Sequence, residues 1–137
     1  MMFIDINGRK KDLRKIEKYL INWDGKSASN FQKSVKDLLY YFWGADVVFE
    51  ELPVIGTRLT LDFYNSNKKI ALEVDGKQHY QYNKFFHRGN RGNFLDQIRR
   101  DEQKEEFCEW NEIVLVRILE EEDLTKELVA SRISHGL

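Results

Sequence analysis

LTLDFYNSNKKIALEVDGKQHY, residues 59–80, is the stretch that decides the fold. Two short apolar segments, 58–64 and 69–75, flank Asn65-Ser66-Asn67-Lys68, a connection so short that it implies an antiparallel hairpin. Both segments are apolar enough to be central strands of a buried sheet, yet they carry Asp62, Glu73 and Asp75. Strand side chains alternate in direction, so Ala71, Glu73 and Asp75 point one way and Ile70, Leu72 and Val74 the other. On the first strand Thr60, Asp62 and Tyr64 share a face, against Leu59, Leu61 and Phe63. One rotation of the hairpin brings the three carboxylates together and leaves an apolar face for the core. Crowded carboxylates repel and are costly to bury, and a hard divalent cation, Mg²⁺ or Mn²⁺, removes that conflict. The plainer alternative is the polar side of a half-exposed hairpin.

Outward from the hairpin, the pattern predicts an α/β protein with a small mixed sheet flanked by helices. Residues 10–22 place Leu13, Ile16, Leu20 and Ile21 near helical spacing behind a basic outer face. Ser29 or Asn30 can cap a second helix over 31–43, striped by Phe31, Val35, Leu38, Leu39 and Phe42. A strand is expected over 47–52, with a turn at Pro53 and Gly56. Beyond an irregular loop at 76–93 come a helix over 94–110, with Phe94, Leu95, Ile98, Phe107 and Cys108 as apolar contacts, a strand over 113–119 and a closing helix over 124–133.

A chain of 137 residues fits one domain with a core large enough to need no disulfide or structural metal. Its 42% hydrophobic, 13% aromatic and 33% charged residues exclude a disordered chain. The single cysteine, Cys108, cannot form an internal disulfide, which points to a reducing compartment. No apolar run approaches the length of a membrane span, and MMFIDINGRKKD lacks the apolar core of a signal peptide; the expectation is a soluble, intracellular protein. A net charge of −1 weighs slightly against a nucleic-acid binder. The charge is uneven, however: cations gather at Arg9, Lys10, Lys11, Arg14, Lys15 and Lys18, and again at Lys84, Arg88, Arg91, Arg99 and Arg100. Such local basic faces can bind phosphates on a chain of balanced charge, although each can equally be a solvated helix face.

The run Asp75-Gly76-Lys77-Gln78-His79-Tyr80 adds chemistry to the acidic strand end. His79 can accept or donate a proton near neutral pH, and Lys77 can steady the charge that builds on a reacting phosphate. The following loop interleaves Tyr80, Tyr82, Phe85, Phe86 and His87 with Lys84, Arg88 and Arg91, a mixture suited to stacking on bases while neutralising phosphates. A core-packing loop with a polar rim would use similar residues.

Asp62, eleven residues before Glu73-x-Asp75, resembles the D…E-x-K signature of the PD-(D/E)XK nuclease superfamily. Glu73-Val74-Asp75-Gly76-Lys77-Gln78-His79 is similar to the E-x-D-G-x-Q-H segment of a branch related to very-short-patch repair and phage homing endonucleases. RRDEQKEEFCEWNEIVLVRI, residues 99–118, resembles a helix and strand of that branch: Asp101 three residues before Lys104, then Phe107-Cys108, then Leu115-Val116-Arg117-Ile118. The likeness covers roughly 29–118, which would be the nuclease core of a single domain, with a basic helical extension over 1–28 and a C-terminal helix over 119–137.

The resemblance implies a restriction-endonuclease-like αβββαβ core and metal-dependent hydrolysis of double-stranded DNA, in a phage or mobile-element homing-type enzyme. Asp62, Glu73 and Asp75 would hold one or two Mg²⁺ or Mn²⁺ ions. Asp75 stands where the superfamily has its lysine, so Lys77 or His79 would take over that role. Gln32, in SNFQKSVKDLL, matches a position that is a glutamate in many members and would hydrogen-bond within the site. Lys84, Arg88, Arg91, Arg100 and Lys104 would contact DNA, with Asp101 positioning a neighbour. Specificity would come from loops, the N-terminal basic segment or homodimer formation; no membrane and no small-molecule cofactor is expected. Rival readings are a Holliday-junction or branched-DNA resolvase, a catalytically degenerate DNA-binding subunit, and an α/β interaction domain without nucleic acid.

Overall fold

The computed structural model describes residues 1–76 and 91–134, with Arg91, Asn93 and Phe94 described by backbone alone. Its centre is a four-stranded sheet, in the spatial order β3 (Val48–Pro53), β4 (Thr60–Asn65), β5 (Ile70–Asp75), β6 (Val114–Leu119). The first three strands form an antiparallel meander, and β6 lies parallel to β5, with Glu73 opposite Arg117. The helices are α1 (Asn30–Trp43), which precedes the meander, α2 (Arg91–Trp110), which carries the crossover from β5 to β6, and α3 (Lys126–Ile133). No described helix is long and apolar enough to cross a membrane.

Local chemistry sets the element ends. Ser29 caps α1, its hydroxyl accepting from the Gln32 N–H at 3.0 Å, and Thr125 caps α3 in the same way through the Leu128 N–H at 3.1 Å. The two sheet faces bury separate clusters. Val35, Leu39 and Trp43 of α1 and Val129 and Ile133 of α3 cover Phe63, Ile70, Leu72 and Ile118. Phe107 and Cys108 of α2, with Phe3, cover Leu61, Tyr64 and Ala71. Each of these larger side chains contributes about 1.5–3 kcal/mol by leaving water.

Two expectations need correction. Residues 10–22 are not a helix, so the N-terminal extension is not helical. Met2–Ile4 (β1) and Lys10–Asp12 (β2) form an antiparallel hairpin, followed by a single 3₁₀ turn at Ile16–Tyr19. The turn chemistry outweighs the apolar spacing: the Asp5 carboxylate accepts from the Asn7 and Arg9 N–H groups at 2.9 and 3.0 Å, and Gly8 adopts φ +80°. Asn111 then pins the hairpin, accepting from the Ile4 N–H at 2.8 Å and donating to the Ile4 carbonyl at 2.7 Å. The second correction concerns α2. Phe107 and Cys108 are buried, but Leu95 and Ile98 are 50% and 40% exposed. A helix of 20 residues is about 30 Å long and a strand of 6 about 20 Å, so the first half of α2 overhangs the sheet.

Candidate active site

The β4–β5 ladder runs from Asn65↔Ile70 to Phe63↔Leu72 and then stops. Beyond it the two strands exchange side chains for backbone partners. The Glu73 carboxylate accepts from the Asp62 N–H at 2.7 Å, and the Asp62 carboxylate accepts from the Val74 N–H at 2.8 Å. Two acids thus fill the wedge where the strands part, each satisfying an amide that the sheet no longer pairs. Glu73 is 1% exposed, and Asp62 sits at the open end, partly buried.

Lys104 reaches this wedge from α2, its ammonium donating to Glu73 Oε1 and forming an ion pair with it. Burial pushes the Asp62 carboxyl up to about 8, the neighbouring Glu73 charge adds to the effect and Glu51 contributes a little more; the Val74 N–H and Lys104 oppose it. Burial alone would depress Lys104, but the Glu73 charge and hydrogen bond, with Asp62 and Asp101, hold its ammonium above the ordinary value. Cys108, under the same wedge, is pushed to about 12 by burial and then by Glu73, so its thiol is inert at neutral pH.

Asp75 lies on the same side of β5 but has a different partner. Arg117, from β6, approaches Asp75 at 3.4 Å, Asp101 at 3.7 Å and Glu105 at 3.6 Å. The guanidinium therefore ties β5 to α2 and gives the polar positions 101 and 105 a structural reason. Behind β3, Gln32 of α1 is 3% exposed and donates through Nε2 to Glu50 Oε2 at 2.9 Å and Glu51 Oε1 at 3.1 Å. Glu50 also accepts from Ser27 Oγ at 2.6 Å and from the fully buried Lys36 Nζ at 2.9 Å. Glu51 accepts from Thr60 Oγ1 at 2.6 Å.

Glu51 departs from simple alternation. It adopts φ +54° inside β3, and the β3–β4 pairing resumes on either side of it, Glu50↔Phe63 and Leu52↔Leu61. Across this irregularity the sides exchange: Leu61 and Tyr64 lie in one core cluster, whereas Phe63 lies in the other. Strict alternation had put Leu61 with Phe63.

Of the residues singled out in the sequence, the structure brings together Asp62, Glu73 and Lys104. It places Asp75 against Arg117 and Gln32 behind β3. Lys104, expected at DNA, points into the site, while Arg100 is exposed on α2 beside Arg58, Arg99 and Gln103 along a shallow groove. Lys77, His79, Lys84 and Arg88 lie outside the described residues, as does the side chain of Arg91. Glu51 and Arg117 carried no functional reading in the sequence. A glutamate inside a strand gives no signal of a left-handed backbone, and the Arg117 ion pairs depend on the packing of α2.

Among the described residues no group of three or more His, Cys, Asp or Glu side chains converges as a ready-made metal site. Asp62 and Glu73 nevertheless fit a hard divalent cation in kind. They are adjacent carboxylates whose repulsion and burial hold a proton on Asp62 that a cation could replace. Mg²⁺ is commonly held by one or two carboxylates, with substrate phosphate and water completing its shell.

Part of the chain is similar to viral proteins. "Uncharacterized protein 033L" of Invertebrate iridescent virus 3 is 39% identical over 66 residues, 48% of this chain and 34% of that protein. "Uncharacterized protein 094L" of Frog virus 3 (isolate Goorha) is 38% identical over 66 residues, 48% of this chain and 43% of that protein. "Uncharacterized protein 307L" of Invertebrate iridescent virus 6 is 35% identical over 60 residues, 44% of this chain and 30% of that protein. The chain thus matches less than half the length of each of these relatives. No family model and no solved structure matches it.

Proposed function

We propose that the chain is a divalent-cation-dependent DNA endonuclease built on the PD-(D/E)XK plan. The observation that carries this reading is the meeting of Asp62 of β4, Glu73 of β5 and Lys104 of α2 where the two central strands part. The element order is in keeping with it: a helix, a three-stranded meander, a crossover helix and a parallel strand make an αβββαβ core. Asp75 occupies the position of the superfamily lysine, and Lys104 would bring the missing cation from α2.

Asp62 and Glu73 would hold Mg²⁺ or Mn²⁺, which when bound supplies positive charge to a phosphodiester and favours attack by water. Lys104 fixes one Glu73 oxygen and keeps its own charge at the site, where it can steady charge developing on phosphate. Arg58, Arg99 and Arg100 beside the overhanging half of α2 offer a path for a DNA backbone. Double-stranded DNA is the proposed substrate.

Supercoiled plasmid, linear duplex and a four-way junction, each incubated with Mg²⁺, Mn²⁺ or EDTA, test the reading. Metal-dependent cutting is expected to fall by about 10²-fold or more in Asp62→Asn, which keeps an oxygen to accept from the Val74 N–H. Wild-type rates in that variant would remove Asp62 from the site. Cutting confined to the junction would favour a resolvase. The hold of Arg117 on Asp75 favours a second reading, a degenerate DNA-binding subunit, whose signature is salt-sensitive binding without cleavage.

A further inference from the structure

Gln32 stands where the resemblance expects a carboxylate, and its surroundings call for an amide. A glutamine nitrogen carries two donors, and here the acceptors are two carboxylates, Glu50 Oε2 at 2.9 Å and Glu51 Oε1 at 3.1 Å. A third acid at position 32, 3% exposed, would be repelled by both. Successive strand residues ordinarily point to opposite faces, so Glu50 and Glu51 should not meet one side chain. They do so because Glu51 takes φ +54°, a conformation that costs a non-glycine residue about 1 kcal/mol or more. Thr60 Oγ1 holds the other Glu51 oxygen at 2.6 Å. The pairs Glu50↔Phe63 and Leu52↔Leu61 bracket Glu51 and Asp62 on neighbouring strands, and the Glu51 charge is felt at Asp62.

We propose that Gln32 is a positioning residue of the nuclease site: it acts through Glu51, fixing that carboxylate from β3 across from Asp62, in place of a carboxylate carried by α1. The role rests on the nuclease reading. Gln32 is then no relic of a lost ligand. The two views predict opposite results for one substitution. If the site were degenerate, Gln32→Glu would return an acid and raise cleavage. On the positioning role it sets a third acid against Glu50 and Glu51 and lowers cleavage.

The experiment measures plasmid cleavage with Mg²⁺ for wild type, Gln32→Glu, Gln32→Met, Glu51→Gln and the Gln32→Met/Glu51→Gln double variant. Urea midpoints taken in parallel identify variants that are folded under the assay conditions. Gln32→Glu and Gln32→Met should each lose about tenfold or more in kcat with KM for DNA little changed. The double variant should be no slower than the slower of its two parents, because both changes cut the same link. Should Gln32→Glu not fold, the kcat of Gln32→Met and of the double variant decides. Faster cleavage by Gln32→Glu, wild-type kcat in Gln32→Met, or multiplying losses in the double variant would each overturn the role. A wild-type protein that cuts none of the DNAs fails the nuclease reading itself. A wild-type protein that cuts, with Gln32 variants that cut equally fast, fails the positioning role alone.

Discussion

Asp62 is a carboxyl that keeps its proton where most have lost theirs. Burial and Glu73 push it up to about 8, so between the ordinary aspartate range and that value the folded protein holds a proton that the unfolded chain has released. Stability must therefore fall as pH rises through this window and level off above it. Asp62→Asn removes the titration but keeps an acceptor for the Val74 N–H. We expect it to raise Tm by about 5 °C or more at pH 8, and by much less at pH 5. Thermal melts across the range check this, and a parallel pH profile in wild type and variant would refute it. That Asp62 and Glu73 are neighbours was legible in the sequence, because a short turn and alternating strands leave few other placements. The partnership of Glu73 with Lys104 was not. It joins a strand to a helix 31 residues further on, and only the packing of α2 decides which of its many charged side chains turns inward.

At the scale of elements, α1 does more than cover the sheet. Its first two turns send Gln32 and Lys36 to β3, and Lys36 is fully buried with its ammonium on Glu50 at 2.9 Å and the Asn22 carbonyl at 2.9 Å. Removing one partner of a buried ion pair strands the other. Lys36→Met should destabilise by about 3–5 kcal/mol, read as a lower urea midpoint with an unchanged slope. A loss below about 1 kcal/mol would mean that Glu50 is satisfied by Ser27 and Gln32 alone. The apolar stripe of α1 was readable at Val35 and Leu39, but Phe42 is exposed and Trp43 is buried in its stead, and the buried lysine occupies a position where sequence pattern alone suggests a solvated charge. The helix expected over 10–22 failed for a related reason. Leu13, Ile16, Leu20 and Ile21 mimic helical spacing, while Asp5, Gly8 and the distant Asn111 determine a hairpin.

At the scale of the molecule, a cation at Asp62 and Glu73 would link metal to pH. Binding must displace the Asp62 proton, so affinity for Mg²⁺ or Mn²⁺ should climb about tenfold per pH unit up to about 8 and then flatten. The measurement is a metal-induced rise in Tm, reversed by EDTA and absent in Asp62→Asn. An equal rise at pH 6 and pH 8 would place the ion elsewhere.

Asn111 also shapes how the molecule opens. It ties Ile4 to the turn before β6 across 107 residues of chain, a contact whose loop-closure cost other contacts must offset. The N-terminal hairpin is thus latched onto the turn before β6. It seals Phe3 over Phe107, ring centres 5.5 Å apart, so any opening of the N-terminal hairpin must break this contact as well as the two Asn111 bonds. Release there would bare Phe107 on the α2 side of the core while leaving the Asp62 and Glu73 bonds between β4 and β5 unbroken.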